Sequence, residues 1–295
     1  MRVVVTGREG QVVRSLVERA GGTDIEIVPV GRPELDLTRP EGIDSALEAA
    51  RPDVIISAAA YTQVDKAESE PELAFAINEG GSRAVARSAS KLRVPLIHLS
   101  TDYVFNGAKM SPYVEDDPTG PTGVYGSSKL AGERAVLAEH HDSAVLRTAW
   151  VYSPFGGNFV KTMLRLAAER DEISVVDDQR GNPTSALDIA EGILRVAANL
   201  CGGDDAGQRG VFHMTSAGEA SWAELAEAIF AMSAETGGVS ASVKRIRTVD
   251  YPTPAKRPAN SSLDSSKLAR RHGVRLPEWR SSLKDVVTRL VEAGA

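Results

Sequence analysis

Five short apolar segments, separated by amphipathic stretches, constrain the fold of this chain more than any other feature. The apolar segments are residues 2–6, 26–30, 54–57, 96–100 and 144–148, and the amphipathic stretches include residues 11–20, 42–50, 74–91 and 127–139. Continuously apolar strands that alternate with helices are typical of a parallel sheet covered on both faces. Right-handed crossovers then predict an α/β fold with a Rossmann-like, doubly wound parallel sheet.

The alternation weakens after Trp150, which indicates a change of organisation. Turn-forming residues fill 153–157 and 177–184, residues 188–198 and 222–232 have helical patterns, and residues 211–215 are suited to a further core strand. We therefore expect residues 1–152 to form an NAD(P)-binding Rossmann core. Residues 153–295 are expected to form mainly a smaller C-terminal substrate-binding lobe. Some of its segments, at about residues 185–215, are expected to return to the core.

The second helix has a recognisable start signal in the sequence. Thr38 is followed three residues later by Glu41, the spacing of a capping box, and Pro40 suits the first helical turn. This pattern predicts that Thr38 caps the helix over residues 42–50.

Composition excludes several classes of partner and site. The 34 Lys and Arg residues against 40 Asp and Glu residues give a net charge of −6, which argues against a nucleic-acid partner. The longest apolar runs, such as residues 54–60, are too short to cross a bilayer, so no membrane association is expected. Cys201 is the only cysteine, which excludes an intramolecular disulfide and a cysteine metal cluster. A strand follows the initial Met-Arg at once and leaves no room for a signal peptide, so we expect a cytoplasmic protein.

The first strand runs into a glycine turn suited to a dinucleotide. Gly7 and Gly10 lack side chains, so the backbone there can approach a pyrophosphate held at the N-terminus of the following helix. A tight turn without a ligand is the alternative. Val13 occupies the place of the third glycine in such a fingerprint, which puts close packing of helix on strand in doubt.

Three further segments are candidates for cofactor contacts. Arg32 follows the second strand where an acidic residue would hold a ribose hydroxyl, so it faces either the extra phosphate of NADP or solvent. Asp36 and Leu37 are placed either to cover the adenine or to form a turn. The small side chains at residues 58–60 leave space for a ligand at a strand end, or for a closely packed helix.

A hydroxyl-bearing strand end and a Tyr-x-x-x-Lys motif carry the expected chemistry. Tyr125 and Lys129 are four positions apart, which places them on one helix face, one turn from each other. A lysine cation there favours the phenolate and brings a tyrosine closer to acid–base work at neutral pH. Thr101, at the end of the strand over residues 96–100, adds a hydroxyl that can polarise a carbonyl oxygen. The alternatives are a half-buried tyrosine with a solvated lysine, and a threonine that caps a strand.

Together these residues resemble the extended short-chain dehydrogenase/reductases and, within them, the dTDP-4-dehydrorhamnose reductase family. The resemblance covers nearly the whole chain, and its motifs are Val5-Thr6-Gly7-x-x-Gly10-Gln11, Ala58-Ala59-Ala60-Tyr61-Thr62, Ser100-Thr101-Asp102-Tyr103-Val104-Phe105, Tyr125-Gly126-x-x-Lys129, Asp178-Gln179-x-Gly181-x-Pro183-Thr184 and Arg257-Pro258-Ala259-Asn260-Ser261. Ser57 departs from the asparagine that is usual in the family before the three alanines.

The resemblance implies reduction of the 4-keto group of dTDP-4-dehydro-L-rhamnose to dTDP-L-rhamnose, with NADPH or NADH. Tyr125 is then the proton donor, Lys129 lowers its pKa and binds the nicotinamide ribose, and Thr101 polarises the reacting oxygen. Mg²⁺ and a homodimer are possible by the same resemblance, although the sequence shows no metal-ligand set. The implied cofactor-binding residues are Gly7, Gly10, Gln11, Val12, Arg32, Asp36, Leu37, Ala58, Ala59, Ala60, Tyr125 and Lys129.

A dTDP-sugar substrate implies a second group of residues, drawn from both halves of the chain. These residues are Thr62, Val64, Asp102, Tyr103, Trp150, Gln179, Arg257 and Asn260. Arginine pairs well with phosphate, which suits Arg257 to the diphosphate. Core packing for Trp150, and surface turns for Gln179, Arg257 and Asn260, are the alternatives.

Other functions share parts of this pattern. A reductase of another dTDP-4-keto-6-deoxy sugar has the same motifs, because the stereochemistry of the sugar is recognised by shape. A non-catalytic regulatory subunit of the family keeps the nucleotide fold, but the intact Thr101, Tyr125 and Lys129 argue against it. A 4,6-dehydratase needs an Asp-Glu pair after the catalytic threonine, whereas Tyr103 follows Asp102 here. An epimerase keeps NAD tightly bound through its cycle, so cofactor bound to the purified protein would distinguish an epimerase from a reductase.

Overall fold

The computed structural model describes residues 1–294. In chain order its strands are β1 (Arg2–Thr6), β2 (Glu26–Val30), β3 (Val54–Ser57), β4 (Leu96–Thr101), β5 (Ser143–Thr148), β6 (Val151–Tyr152), β7 (Glu172–Val176), β8 (Arg180–Gly181), β9 (Thr184–Ser185), β10 (Gly210–His213), β11 (Ala220–Ser221) and β12 (Ser242–Ile246). The α-helices are α1 (Gln11–Ala20), α2 (Ile43–Ala50), α3 (Val64–Ala67), α4 (Pro71–Phe75), α5 (Ser82–Leu92), α6 (Val124–Glu139), α7 (Phe159–Ala167), α8 (Ala186–Gly202), α9 (Trp222–Glu235), α10 (Ser266–His272) and α11 (Trp279–Glu292).

Six parallel strands form the central sheet, in the order β10-β5-β4-β3-β1-β2. The five apolar segments of the sequence correspond to strands β1 to β5, and the Rossmann-like α/β prediction is confirmed. Strand β1 pairs with β2 on one side and with β3 on the other. The order of strands therefore reverses beside β1, and ligands of such sheets bind at the carboxyl ends of the strands at this point.

Strand β2 is one edge of the sheet and carries a proline. Glu26 donates its N–H to Met1, and the carbonyl of Val30 accepts from Gly7, so these two residues present their backbone groups to the β1 side. Backbone groups alternate in direction along a strand, so Pro29 presents its nitrogen to the outer edge.

Helices cover both faces of the sheet. On one face, residues such as Leu16 of α1 and Ile193 of α8 pack against β1 and β3. On the other face, Leu47, Val85 and Val136 of α2, α5 and α6 form a second buried cluster. Val13 is buried with β1 and comes close to Gly7, so the valine in place of the third glycine still allows close packing of the helix.

A further apolar core lies outside the sheet. It is built from β6, α7, β7, α9 and α11, and its largest buried side chain is Trp279. Strand β7 pairs with β12, which lies about seventy residues later in the chain. Helix α8, strand β10 and helix α10 come from the second half of the chain, yet they pack in the core of the large sheet. The division into residues 1–152 and 153–295 stays a prediction.

The predicted capping box at Thr38 is wrong. The backbone N–H and the hydroxyl of Thr38 both donate to the Asp36 carboxylate, at 2.9 and 2.7 Å. This local turn uses the groups that the capping box would need. A 3₁₀ turn over Pro40–Gly42 leads into α2 instead.

The predicted helix over residues 74–91 is interrupted. Helix α4 ends at Phe75, a π-helical turn spans Ala76–Gly81, and α5 follows. This turn packs tightly against α6, because a Cβ on Gly132 would lie 2.2 Å from the Asn78 carbonyl oxygen. No helix within residues 1–294 combines the length and the apolarity needed to cross a membrane.

Candidate active site

A cavity of about 490 Å³ opens at the carboxyl ends of β1, β3 and β4. The loop at Gly156 and Gly157, between β6 and α7, lines its far side. Most of the predicted site residues line this cavity: Gly10, Gln11, Val12, Ala58, Ala60, Thr62, Val64, Thr101, Asp102, Tyr103, Tyr125, Lys129 and Trp150. The remaining predicted residues are Gly7, Arg32, Asp36, Leu37, Ala59, Gln179, Arg257 and Asn260, which are not among the residues that line it.

Thr101, Tyr125 and Lys129 meet at the end of β4. Thr101 ends the strand, and Tyr125 and Lys129 lie one turn apart near the start of α6. The ammonium of Lys129 is buried and donates a hydrogen bond to the Leu99 carbonyl at 2.6 Å. The ring of Tyr125 meets the ring of Tyr103 edge to face, with centroids 5.6 Å apart.

The electrostatics of Tyr125 differ from the sequence-based expectation. Burial raises the pKa of Tyr125 above its usual value, the Thr101 hydroxyl opposes this shift, and the nearby Asp102 adds to it. Lys129 does not lower the pKa of Tyr125 in this structure, because its ammonium is directed at the Leu99 carbonyl. Tyr125 is therefore a protonated phenol at neutral pH, the form that can donate a proton.

Lys129 and Asp102 are also perturbed by burial. Burial lowers the pKa of Lys129 to about 8, and the carboxylate of Glu133 opposes that shift. Burial raises the pKa of Asp102 to about 6, against hydrogen bonds from groups that include Ser261 and Thr101. The Thr101 hydroxyl donates to Asp102 Oδ1 at 2.9 Å, whereas Asp102 Oδ2 is buried without a hydrogen-bond partner.

The glycine turn after β1 has the geometry that a phosphate group requires. Gly7 has a φ of +99°, a conformation that glycine adopts far more readily than other residues. Gly10 precedes α1 and offers no side-chain cap, so the first backbone N–H groups of α1 are open toward the cavity. Thr6 accepts hydrogen bonds from the backbone N–H groups of Ala58 and Ala59, both at 3.0 Å, which joins the ends of β1 and β3.

Gln11 connects this turn to the second half of the chain. Its side-chain oxygen accepts hydrogen bonds from Ser153 at 2.8 Å and from Asn158 at 3.0 Å. Asn158 also caps α7 through Lys161 N–H. The side chain of Gln11 therefore holds the loop that lines the far side of the cavity.

The loop after β2 carries basic and acidic residues close to the glycine turn. Arg32 is exposed, Asp36 forms the turn with Thr38, and Leu37 is buried against Gly81. A basic residue that the sequence reasoning missed is Arg8, which pairs with Glu34 at 2.6 Å and passes close to Gly31. Its position inside the glycine turn was the available signal.

Trp150 and Arg257, two of the predicted substrate contacts, each make well-defined contacts with other parts of the chain. Trp150 stacks on Trp222 with ring centroids 3.6 Å apart, and its indole N–H donates to Ser261. Arg257 pairs with Asp65 at 2.6 Å, and its Nη1 is buried without a partner.

Gln179 and Asn260 instead make internal contacts. Gln179 is buried and donates to Thr248, and Asn260 donates to the Lys109 carbonyl. These contacts hold loops of the second half of the chain in place.

The sequence reasoning also missed a buried ion pair behind the catalytic helix. Glu133 of α6 and Arg147 of β5 are bonded through two pairs of atoms, at 2.7 and 2.9 Å, and both side chains are almost fully buried. Ser100 donates to the same carboxylate at 2.5 Å. Both residues belong to motifs of the family resemblance, Tyr125-Gly126-x-x-Lys129-x-x-Gly132-Glu133 and Arg147-Thr148-Ala149-Trp150-Val151-Tyr152, but the sequence reasoning gave them no role.

Within residues 1–294, no three His, Cys, Asp or Glu side chains converge as a metal site. The structure therefore gives no support to the Mg²⁺ that the family resemblance made possible.

Comparison with known proteins identifies the family of this chain. The family model described as the RmlD substrate binding domain matches residues 1–292. A dTDP-4-dehydrorhamnose reductase from Sinorhizobium fredii is 50% identical over 294 residues, which cover 100% of this chain and 99% of that protein.

Two solved structures are similar over nearly their whole length. A dTDP-4-dehydrorhamnose reductase from Clostridium acetobutylicum has a TM-score of 0.91 at 36% identity and covers 99% of this chain and 100% of its own. The enzyme of that name from Bacillus anthracis, in complex with NADP, has a TM-score of 0.91 at 35% identity and covers 98% of this chain and 99% of its own.

Proposed function

The chain belongs to the RmlD substrate-binding family, and from this premise we propose that it reduces dTDP-4-dehydro-L-rhamnose to dTDP-L-rhamnose with NADPH or NADH. The observation that carries the proposal is the meeting of Thr101, Tyr125 and Lys129 in one cavity at the point where the strand order reverses. The relatives of that name match the chain from end to end, which supports the same reaction here.

The residues present fit a nicotinamide dinucleotide. The φ of Gly7 and the uncapped start of α1 leave room and N–H donors for a pyrophosphate, and the small side chains of Ala58 and Ala60 leave the cavity open beside them. When bound, the reduced cofactor supplies the hydride that reaches the carbonyl carbon of the sugar. Gly10, Gln11 and Val12 line the same end of the cavity, which supports their roles as cofactor contacts.

Tyr125 provides the proton that completes the reduction. The alkoxide that forms at the 4-position must be protonated, and the raised pKa of Tyr125 keeps its phenol protonated at neutral pH. Thr101 polarises the same oxygen with its hydroxyl, and Lys129, one turn from Tyr125 on the same helix face, binds the nicotinamide ribose, as the family resemblance implies. This arrangement agrees with a reductase rather than with a binding subunit.

The substrate subsite is proposed on the side of the cavity formed by Thr62, Val64, Asp102, Tyr103 and Trp150. The partly buried Arg257, with its unpartnered Nη1, is suited to the diphosphate of a dTDP-sugar. The internal contacts of Gln179 and Asn260 favour a supporting role, in which they hold the loops around this subsite.

We infer a preference for NADPH over NADH. Arg8 and Arg32 lie on the loops after β1 and β2, where a 2′-phosphate would bind, and no acidic residue takes the place that selects NADH. The NADP complex of the Bacillus anthracis enzyme supports this inference. A homodimer and a cytoplasmic location stay predictions.

A coupled assay that starts from dTDP-glucose tests the proposed function. The preceding enzymes generate the keto sugar, this protein is added with NADPH or with NADH, and the sugar nucleotide that accumulates is identified. We expect dTDP-L-rhamnose, together with loss of NADPH absorbance. A different 6-deoxy sugar would show a reductase of another substrate, and steady absorbance across several 4-keto sugars would favour a regulatory subunit.

Replacing the phenol tests the role of Tyr125. We expect Tyr125→Phe to lower kcat by about two to four powers of ten, the usual contribution of general acid catalysis, with NADPH affinity little changed. Tyr251→Phe is the matched control, because Tyr251 is 60% exposed and does not line the cavity. An equal loss of activity in both variants, or none in either, would contradict the assignment.

A further inference from the structure

A stripe of three functional side chains runs along α6. Tyr125, Lys129 and Glu133 are spaced by four residues and therefore lie on one helix face. Tyr125 lines the cavity, Lys129 is 3% exposed, and Glu133 is 2% exposed. The stripe therefore leads from the reacting group into the protein interior.

The strand under this stripe meets it at consecutive positions. The carbonyl of Leu99 accepts from the Lys129 ammonium, and the hydroxyl of Ser100 donates to the Glu133 carboxylate. The hydroxyl of Thr101, the next residue, opposes the rise that burial causes in the pKa of Tyr125. The end of β4 and the start of α6 are thus fixed to each other through the catalytic residues themselves.

Glu133 is held on both of its oxygens. Arg147 donates from Nε to Oε1 and from Nη2 to Oε2, and Arg147 is the register partner of Ser100 on the neighbouring strand β5. The guanidinium of Arg147 also lies over the ring of Phe105, at 5.0 Å. Charge-assisted bonds of this geometry leave the carboxylate little freedom to move.

The groups around Lys129 single out Glu133 as its anionic neighbour. On α6 the titratable groups are Tyr125, a neutral phenol, and Glu133. On β4 the facing group is His98, which is fully buried, and burial together with the Lys129 charge keeps its pKa well below the usual range. On β5, Arg147 stands behind Glu133 and bears a positive charge. The charge of Asp102 raises the pKa of Tyr125 and is not among the causes of the pKa shift of Lys129.

We propose that Glu133 is a positioning residue for the reaction: fixed by Ser100 and Arg147 one helical turn from Lys129, its carboxylate keeps the Lys129 ammonium charged while the Leu99 carbonyl holds that ammonium in place. The inference rests on the proposed function, since it concerns the lysine of the same site. Removal of the carboxylate removes the attraction that opposes the effect of burial on Lys129. Lys129 then loses its proton at a lower pH, and the activity that requires the cation is lost at a lower pH as well.

The experiment measures the titration of Lys129 in the ligand-free protein by NMR of ¹⁵N-lysine, with the signal assigned through Lys129→Arg. We expect Glu133→Gln to lower the pKa of Lys129 by about one unit or more, and to move the high-pH limb of kcat to lower pH by a similar amount. Glu139→Gln is the matched control, because Glu139 pairs with Arg87 on the exposed side of the same helix.

The single substitution leaves Arg147 buried without its partner, which destabilises a protein strongly. The double variant E133Q/R147M removes both charges and is expected to fold and to lower the pKa of Lys129 by less than Glu133→Gln does, because loss of the more distant Arg147 cation partly offsets loss of the carboxylate. An unchanged Lys129 titration in a folded variant would overturn the proposal. Failure of both variants to fold would also overturn it, since the pair would then serve stability alone.

The NMR titration needs neither cofactor nor sugar, so it separates this inference from the proposed function. If the wild-type protein fails to reduce the dTDP-sugar while Lys129 shifts as expected, the proposed function fails and the positioning of Lys129 by Glu133 stands.

Discussion

At the scale of single residues, burial acts in opposite directions on the acids and the bases that surround the cavity. It raises the pKa of Asp102 to about 6 and lowers the pKa of Lys129 to about 8. Both groups therefore change charge within about two pH units of neutrality, whereas the same groups in water titrate far from it. The pH dependence of this protein is expected to arise at these two residues.

Replacing Asp102 tests this, because the raised pKa determines the direction in which the free energy of unfolding changes with pH. Its pKa is raised in the folded protein, so the folded state loses stability as the pH rises through that value. We expect Asp102→Asn to increase the free energy of unfolding by about 2–3 kcal/mol at pH 8, and by less than about 1 kcal/mol at pH 4. Urea unfolding at the two pH values measures the difference.

Asp117→Asn is the control for this test, because the ion pair with Lys109 and the hydrogen bond from Val114 lower the pKa of Asp117. Its substitution is expected to destabilise the protein at pH 8. A gain for Asp102→Asn that is the same at both pH values would show that its charge is not the cause.

At the scale of elements, α6 packs closely against the π-helical turn at Ala76–Gly81 beside the site. Gly132 faces the backbone of Asn78, and the side chain of Asn78 holds Tyr61 and Ser128 by hydrogen bonds. Because Ser128 lies beside Lys129 on α6, this contact fixes the helix that carries Tyr125 and Lys129.

Gly132→Ala tests the importance of this contact. A Cβ would lie 2.2 Å from a carbonyl oxygen of the backbone, so we expect a loss of at least about 2 kcal/mol in the free energy of unfolding. Gly80→Ala is the matched control, since a Cβ there meets nothing within 4 Å, and its effect should stay within about 1 kcal/mol. Urea unfolding followed by far-ultraviolet circular dichroism compares the two, and equal effects would contradict the packing argument.

The sequence predicts elements well where one periodic signal dominates. Strands β1 to β3 and helix α1 have the predicted bounds, because apolar runs and an amphipathic face determine them locally. The prediction failed at Thr38, where a side-chain turn competes with the helix cap, and at residues 76–81, where packing against α6 widens the helix.

Other parts of the site depend on contacts that periodicity does not encode. Strands β7 and β12 pair only with each other and lie far apart in the sequence, so no local pattern identifies the pair. The Glu133–Arg147 pair likewise depends on strand register and burial. In contrast, a strand end and a helical spacing constrain Thr101, Tyr125 and Lys129 directly, so their convergence at one cavity was predictable, while their catalytic roles stay predictions.

At the scale of the whole molecule, the chain crosses between its two cores several times. Helix α8 and strand β10 return to the large sheet, and α11 then returns to the core around Trp279. Gln11 and the ion pair between Glu18 and Arg289 connect α1 to the second half of the chain. We therefore expect the two cores to unfold as one cooperative unit.

Ile193→Ala tests this cooperativity from one side. Ile193 is fully buried under the large sheet, so its truncation should cost about 2–5 kcal/mol. Trp150, Trp222 and Trp279 are the three tryptophans of the chain, and none of them belongs to the cluster around Ile193. We expect the transition measured by tryptophan fluorescence to shift as far as the one measured by circular dichroism. A fluorescence transition that stays in place would show that the two cores unfold separately.

The proline on the outer edge of β2 affects how copies of this protein can associate. An exposed edge strand offers a template on which strands of other molecules can assemble, and this is a common origin of aggregation. Pro29, the fourth residue of β2, has no N–H to offer at that edge, and β2 is only five residues long. We therefore expect two copies of the protein to associate through surfaces other than β2, and not by pairing of their β2 edges into one continuous sheet.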